Sequence, residues 1–352
     1  MVDTKTAFEK APAPRGFSVA RLLRANRKLL FPLAAFLLIL LGNWLISPNF
    51  FNVRLVEGRL LGSLVDIFNR GAPTVLLAIG MTLVIATKGI DLSVGAVIAI
   101  CGAVAAVLIS ETELSPVVVI IISLGAGLLC GLWNGVLVAV FDIQPFIATL
   151  ILMVVGRGIA QLITEGQIAV FNNPTLEFIG KGVVLGLPFP ILLSAFVFIL
   201  VLVFVRRTAI GLLIESVGSN DRASYYAGID ARAIKLLVYV ISGLCAAVAG
   251  LIITADIKGA DANNAGLWLE LDAVLAVVIG GTLLSGGRFY LGLSVIGALI
   301  IQSIQTGIFV SGLPPTFNLI VQALVILAIL FLQSDDFRRP FARLFQRLRR
   351  HS

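Results

Sequence analysis

The sequence predicts an all-α polytopic membrane protein with about ten transmembrane helices, on three grounds. Its 352 residues are 59% hydrophobic and only 13% charged, with a mean hydropathy of +1.06, too apolar for a surface that water must solvate. Several apolar runs reach the roughly 20 helical residues needed to cross a hydrocarbon core about 30 Å thick. The alternating strands of a membrane barrel are absent.

Runs bounded by Pro, Gly and charges place the spans near 29–47, 71–88, 91–110, 115–140, 145–164, 188–205, 233–254, 272–286, 289–310 and 316–333. Together they make one transmembrane domain, 29–333, between a basic arm at 1–28 and a basic tail at 334–352. No small-x-small cleavage pattern follows the first run, so it is expected to remain as a span.

An even number of crossings puts both ends on one face, which the distribution of basic residues tests. Of 26 Lys and Arg, 20 lie on that face: seven in the arm, Lys88, five between Arg206 and Lys235, Arg288 and six in the tail. The opposite face holds five, Arg54, Arg59, Arg70, Lys181 and Lys258, and Arg157 alone remains inside a span. Basic loops stay on the cytoplasmic side, so both termini are predicted to be cytoplasmic. The net charge of +7 then reflects topology and anionic lipid, and nucleic acid is excluded as a partner.

The stretch "ATKGIDLSVGAVIA", 86–99, interrupts an apolar run with two charges, which are costly at the bilayer centre. It reads as a tight cytoplasmic turn, with Gly89 allowing the bend and Asp91 and Ser93 capping the next helix. An echo follows much later. Ile79-Gly80-Met81-Thr82-Leu83 reappears as Ile279-Gly280-Gly281-Thr282-Leu283, and Leu92-Ser93-Val94 as Leu293-Ser294-Val295. Both copies cross inward and return, as a parallel internal repeat would, although Gly/Ile/Leu-rich segments also match by chance.

Little is left for catalysis. The only histidine is His351, and Cys101, Cys130 and Cys245 are scattered through apolar runs without metal-ligand or disulfide spacing. The phosphate-cradling GxxxxGK[ST] pattern is absent; "GGTLLSGGR" lacks its Lys-Ser/Thr, and its glycines read as close helix contacts or a hinge. An ion-coupled carrier would need acids buried near midspan, and none is expected from these span boundaries.

Residues 206–235, "RRTAIGLLIESVGSNDRASYYAGIDARAIK", carry helix grammar of their own. Ile210, Leu213, Ile214 and Val217 recur at helical spacing, Gly218 is placed to end that helix, and Asn220 or Asp221 to cap a second one reaching toward Gly228. Two short amphipathic helices here either dock onto a partner or lie on lipid. In the fifth span Arg157 and Gln161 stand one turn apart on the same face. They read either as a polar lining for a hydroxyl-rich solute or as an interhelical tie to a carbonyl or to Glu165. Trp133 and Asn134 in the fourth span pose the same choice, with an interfacial anchor as the alternative for the tryptophan.

Four blocks in order, "IGMTLVIATKGIDLSVGA", "LWNGVLVAVFDIQPFIATL", "TAIGLLIESVGSNDRASYYAGID" and "ELDAVLAVVIGGTLLSGGRFYLGLSVIGALI", resemble the permease subunit of bacterial ABC importers for monosaccharides, the ribose, xylose and galactofuranose group. The resemblance runs from about residue 30 to 333. The likeness to the galactofuranose type rests on "ADIKGADANNAGLWLELD", 255–272, and "QLITEGQIAVFNN", 161–173. It implies a multi-pass subunit of the bacterial inner membrane that pairs with a second permease, identical or sister. It further implies a cytoplasmic ATP-binding subunit, which would hold ATP and Mg while this chain holds no cofactor, and a periplasmic sugar-binding protein. Loop 206–235 would be the coupling element, with Gly211, Glu215, Gly218, Asn220, Asp221, Arg222 and Gly228 as candidate contacts. Asp261, Asn263, Asn264 and Trp268 would face the binding protein. In one respect the chain departs from the family, having Lys88 where a glycine usually precedes "GIDLS".

Overall fold

The computed structural model describes residues 27–312 and 314–333; most of the basic arm and all of the tail lie outside the described residues. In chain order the elements are α1 (Arg27–Ile46), the hairpin β1 (Arg54–Val56) and β2 (Arg59–Leu61), α2 (Ser63–Ala86), α3 (Val94–Glu111), α4 (Pro116–Ala139) and α5 (Pro145–Ile163). There follow β3 (Ala169–Val170), α6 (Pro174–Lys181), β4 (Val183–Val184), β5 (Leu187–Pro188), α7 (Phe189–Arg207), α8 (Ile210–Ser219), α9 (Asp221–Tyr226) and α10 (Ala231–Ile257). Last come β6 (Gly259–Ala260), α11 (Leu269–Ile279), α12 (Leu291–Val310) and α13 (Asn318–Gln333).

Seven of these, α2, α3, α4, α5, α7, α10 and α12, are long and apolar enough to cross a bilayer. Helices also occupy the other three expected positions as α1, α11 and α13, but α11 falls short. Its 11 residues rise only about 16 Å, because Gly280 and Gly281 follow, Gly281 in the left-handed region at φ 84°. The expected span 272–286 is thus a short helix and an irregular stretch, in which Thr282 Oγ1 accepts from the Tyr290 backbone N–H at 3.2 Å.

The strands are small antiparallel pieces that tie loops together at one end of the bundle, β3 to β6 and β4 to β5. This is the hairpin end; α8 and α9 mark the other. Pro116, Pro145 and Pro174 each begin a helix at a position where a missing N–H costs nothing.

Helix α2 is buried from Gly71 to Ala86 and forms the centre with α10. On α4 the glycines 127, 131 and 135 recur every fourth residue and lie against α10. A Cβ on Gly243 would run into the Gly127 carbonyl and the Gly131 backbone. Small residues at this spacing let two backbones meet where no hydrophobic effect drives helices together. The opposite faces of α1, α4, α5 and α7 expose large apolar side chains, among them Leu38, Ile121, Leu129, Val154, Phe196 and Leu200. A patch of that extent needs lipid or another apolar protein surface.

Candidate translocation and coupling sites

Helices α8 and α9 follow the sequence pattern closely. Ile214 and Val217 point inward with Gly211 and Gly218, and Asn220 caps α9, its Oδ1 accepting from the Ala223 N–H at 3.0 Å. Gly218 does not end α8, which continues to Ser219; Gly228, at φ 81°, makes the exit turn. Asp221 pairs with Lys235 of α10 at 2.6 Å, Arg222 is exposed, and Glu215 lends its carbonyl to Ser219 Oγ at 2.8 Å. The side chains that stand out furthest are Leu212, Tyr225 and Tyr226, 72%, 72% and 86% exposed. Aromatic residues left in water at one end of a bundle have the character of contact anchors.

Beneath α8 three segments meet. A Cβ on Gly218 would overlap the Ala86 carbonyl oxygen at the end of α2. That same oxygen accepts from the Gly287 N–H at 2.9 Å. Lys88 donates from Nζ to the Ser219 carbonyl at 3.2 Å, a favourable place for a cation at a helix C-terminus. Lys88 rather than Gly89 makes the bend, in the left-handed region at φ 66°. The turn after α2 and the turn after α11 are therefore both fastened at α8, which is how the two echoed segments come together.

Asp91 lies in the turn before α3 but is buried, 1% exposed. Its Oδ1 accepts from the Ser93 N–H at 3.1 Å and Oγ at 2.6 Å, so it helps start α3, with Ser93 itself at the N-cap. It also reaches across the bundle: Oδ2 accepts from Ser242 Oγ of α10 at 2.7 Å. Asn134 of α4 donates to Ser93 Oγ at 2.8 Å and, more weakly, to Asp91 Oδ1 at 3.4 Å. Asn134 is a buried tie between helices. Trp133, 54% exposed, lies on the outer face beside it.

Two further acids are buried. Glu270 is 4% and Asp272 9% exposed on α11. Asp272 accepts from Gln322 Nε2 at 2.7 Å, and Glu270 lies against Gly95. Sequence reasoning placed them at a loop edge because their partners sit on helices distant in the chain.

Arg157 and Gln161 both reach the loop that follows α10. Arg157 donates to the Ala262 and Ala265 carbonyls at 3.1 and 2.6 Å, and Gln161 to Asn263 Oδ1 at 2.7 Å. Arg157 is thus tied to carbonyls of that loop, and not to Glu165. The loop alternates: Ala262, Ala265 and Gly266 are buried, while Asn263, Asn264 and Trp268 face outward. Asp261 accepts from the Asn264 side chain at 2.7 Å and from two backbone N–H groups. The Asn264 amide chiefly, with those N–H groups, holds its carboxyl below the usual range.

None of the residues singled out in the sequence encloses a polar cavity at the hairpin end, yet one is present. About 320 Å³ in volume, it lies between α2, α10 and α12, and its polar lining is Asn69, Arg70, Thr74, Asp256, Gln302 and Gln305. No local pattern marks these residues, since α2 and α12 meet only in the folded bundle.

A family model described as the permease component of a branched-chain amino acid transport system matches residues 63–330. The chain belongs to this permease family. Relatives include the galactofuranose transporter permease YtfT of Escherichia coli K12, 59% identical over 305 residues, 87% of this chain and 89% of that protein. The fructose import permease FruF of Bifidobacterium longum is 40% identical over 332 residues, 93% and 92% of the two chains. The ribose import permease RbsC of Haemophilus influenzae is 37% identical over 315 residues, 88% and 93%. No solved structure matches the chain. With its apolar helices, this membership makes the protein an integral inner-membrane permease of a sugar ABC importer.

Proposed function

We propose that this permease crosses the membrane ten times and forms half of an ATP-driven conduit for a monosaccharide of the galactofuranose type, working by alternating access. Both termini and α8–α9 face the cytoplasm in this reading, which the excess of Lys and Arg on that face supports. A cytoplasmic ATPase seats on Leu212, Tyr225, Tyr226 and Arg222, with Asp221 held in place by Lys235. A periplasmic binding protein docks at the hairpin end, where Asp261, Asn263, Asn264 and Trp268 lie. A second permease, identical or sister, covers part of the exposed apolar face.

The observation that carries this reading is the joint beneath α8. A helix whose own outer face is exposed is fastened to two interhelical turns at once, so a push on α8 moves α2–α3 and α11–α12 together. A carrier working alone has no use for such a lever. Asp91 and Asp272 do not favour that alternative, because each is held by hydroxyl or amide donors.

Reconstitution in vesicles tests the reading. Uptake of labelled galactofuranose is expected only with ATP, the ATPase and the binding protein together. Uptake by this chain alone, driven by an ion gradient, would overturn it.

A further inference from the structure

The polar cavity at the hairpin end is walled by helices and loops of one chain. Its volume, about 320 Å³, is in the range of small-molecule pockets. Thr74 and Gln302 are 4% and 8% exposed, deep enough that their hydrogen bonding matters. Asn69 Oδ1 is buried with no donor in the described chain, and a buried carbonyl left unmatched is unfavourable.

The chemistry of the lining selects a class of ligand. Three side-chain amides and a hydroxyl both donate and accept, as the hydroxyl groups of a sugar do. Arg70 and Asp256 bring one charge of each sign, leaving no net charge for a phosphorylated solute. Pro73, Ile252 and Leu269 add apolar surface to the lining for C–H groups. Aromatic rings, which stack strongly on sugars, are missing from the lining, so binding should be weak and release easy.

We infer that this cavity holds one uncharged monosaccharide within a single permease subunit, Asn69 Oδ1 and the Gln302 amide bonding its hydroxyl groups. The inference rests on the sugar-permease reading. It adds a receiving site on the way in, separate from any path between two subunits, and occupied without a second chain's residues.

The test uses the purified full-length permease in nanodiscs, without ATPase or binding protein, and D-galactose as the probe in saturation-transfer NMR. Transfer to galactose is expected, and Asn69→Leu, Thr74→Val and Gln302→Leu should each weaken binding about 10-fold, the worth of one lost hydrogen bond, with unchanged thermal melting. Leu185→Ser, at an exposed loop position, should bind like the wild type. Absence of transfer in the wild type would overturn the inference, as would equal binding by the three well-folded variants. Stronger transfer to L-leucine than to galactose would also overturn it, because Arg70 and Asp256 would then be gripping a zwitterion. ATP-dependent sugar uptake with all partners present is measured in parallel. Uptake that persists while the cavity variants bind normally leaves the permease reading standing and removes only this site.

Discussion

Gly218→Val is expected to reduce sugar-dependent stimulation of the partner ATPase by about 100-fold, the scale on which a misplacement of roughly 1 Å acts, while the permease still reaches the membrane. The reason is the closeness of α8 to the turn after α2. Even a methyl group at Gly218 would overlap the Ala86 carbonyl and approach the Gly287 nitrogen to 2.7 Å. Both neighbours are backbone, and their own hydrogen bond of 2.9 Å leaves neither free to retreat. A branched side chain therefore lifts α8 and separates it from both turns. Gly218→Ala should fall between wild type and valine. The check is ATP hydrolysis by the reconstituted complex with sugar-loaded binding protein, alongside membrane protein level and ATPase co-purification. Full stimulation in Gly218→Val would remove the joint from the mechanism.

Asp91→Ala is expected to be the most destabilising single change inside the bundle. It strips the acceptor from the Ser93 N–H, the Ser93 hydroxyl and the Ser242 hydroxyl, and weakens the hold on Asn134. Leaving buried donors unmatched costs about 1–3 kcal/mol each, and three helices, α3, α4 and α10, lose their common tie. A loss of about 3–5 kcal/mol follows if the site relaxes in part, read as a lower melting temperature and a poor yield in detergent. Asp91→Asn keeps an oxygen for Ser93 and turns an amide toward Ser242, whose hydroxyl can rotate to accept. It should recover most of the stability. Equal melting of wild type and Asp91→Ala would show that the network contributes little.

Much of the fold was legible because hydropathy and helix punctuation act locally. The spacing of Ile210, Leu213, Ile214 and Val217 and the cap at Asn220 gave α8 and α9 nearly to the residue. The same local view failed at 272–286, where an apolar stretch continues after Gly280 and Gly281 have ended the helix. It gave no sign of how deeply Asp91, Glu270 and Asp272 are buried. A charge in a turn reads as exposed, and only the packed bundle brings Ser242, Asn134 or Gln322 to meet it. Arg157 and Asn134 bond to segments distant in the chain, while the cavity is lined by residues that no motif announces. Lys88 takes up the left-handed bend itself and adds a bond to α8.

The central claim is that α8 and α9 face the cytoplasm while the β-hairpin end faces outward, and single-cysteine labelling reads this directly. Tyr226→Cys and Leu185→Cys place thiols at positions 86% and 95% exposed at the two ends, in a chain whose native cysteines, Cys101, Cys130 and Cys245, have been replaced by alanine. With a membrane-impermeant maleimide, Leu185→Cys should label in spheroplasts, and Tyr226→Cys only in inverted vesicles stripped of the ATPase. Labelling of Tyr226→Cys from outside intact spheroplasts would contradict the account, since no cytoplasmic motor could then reach α8.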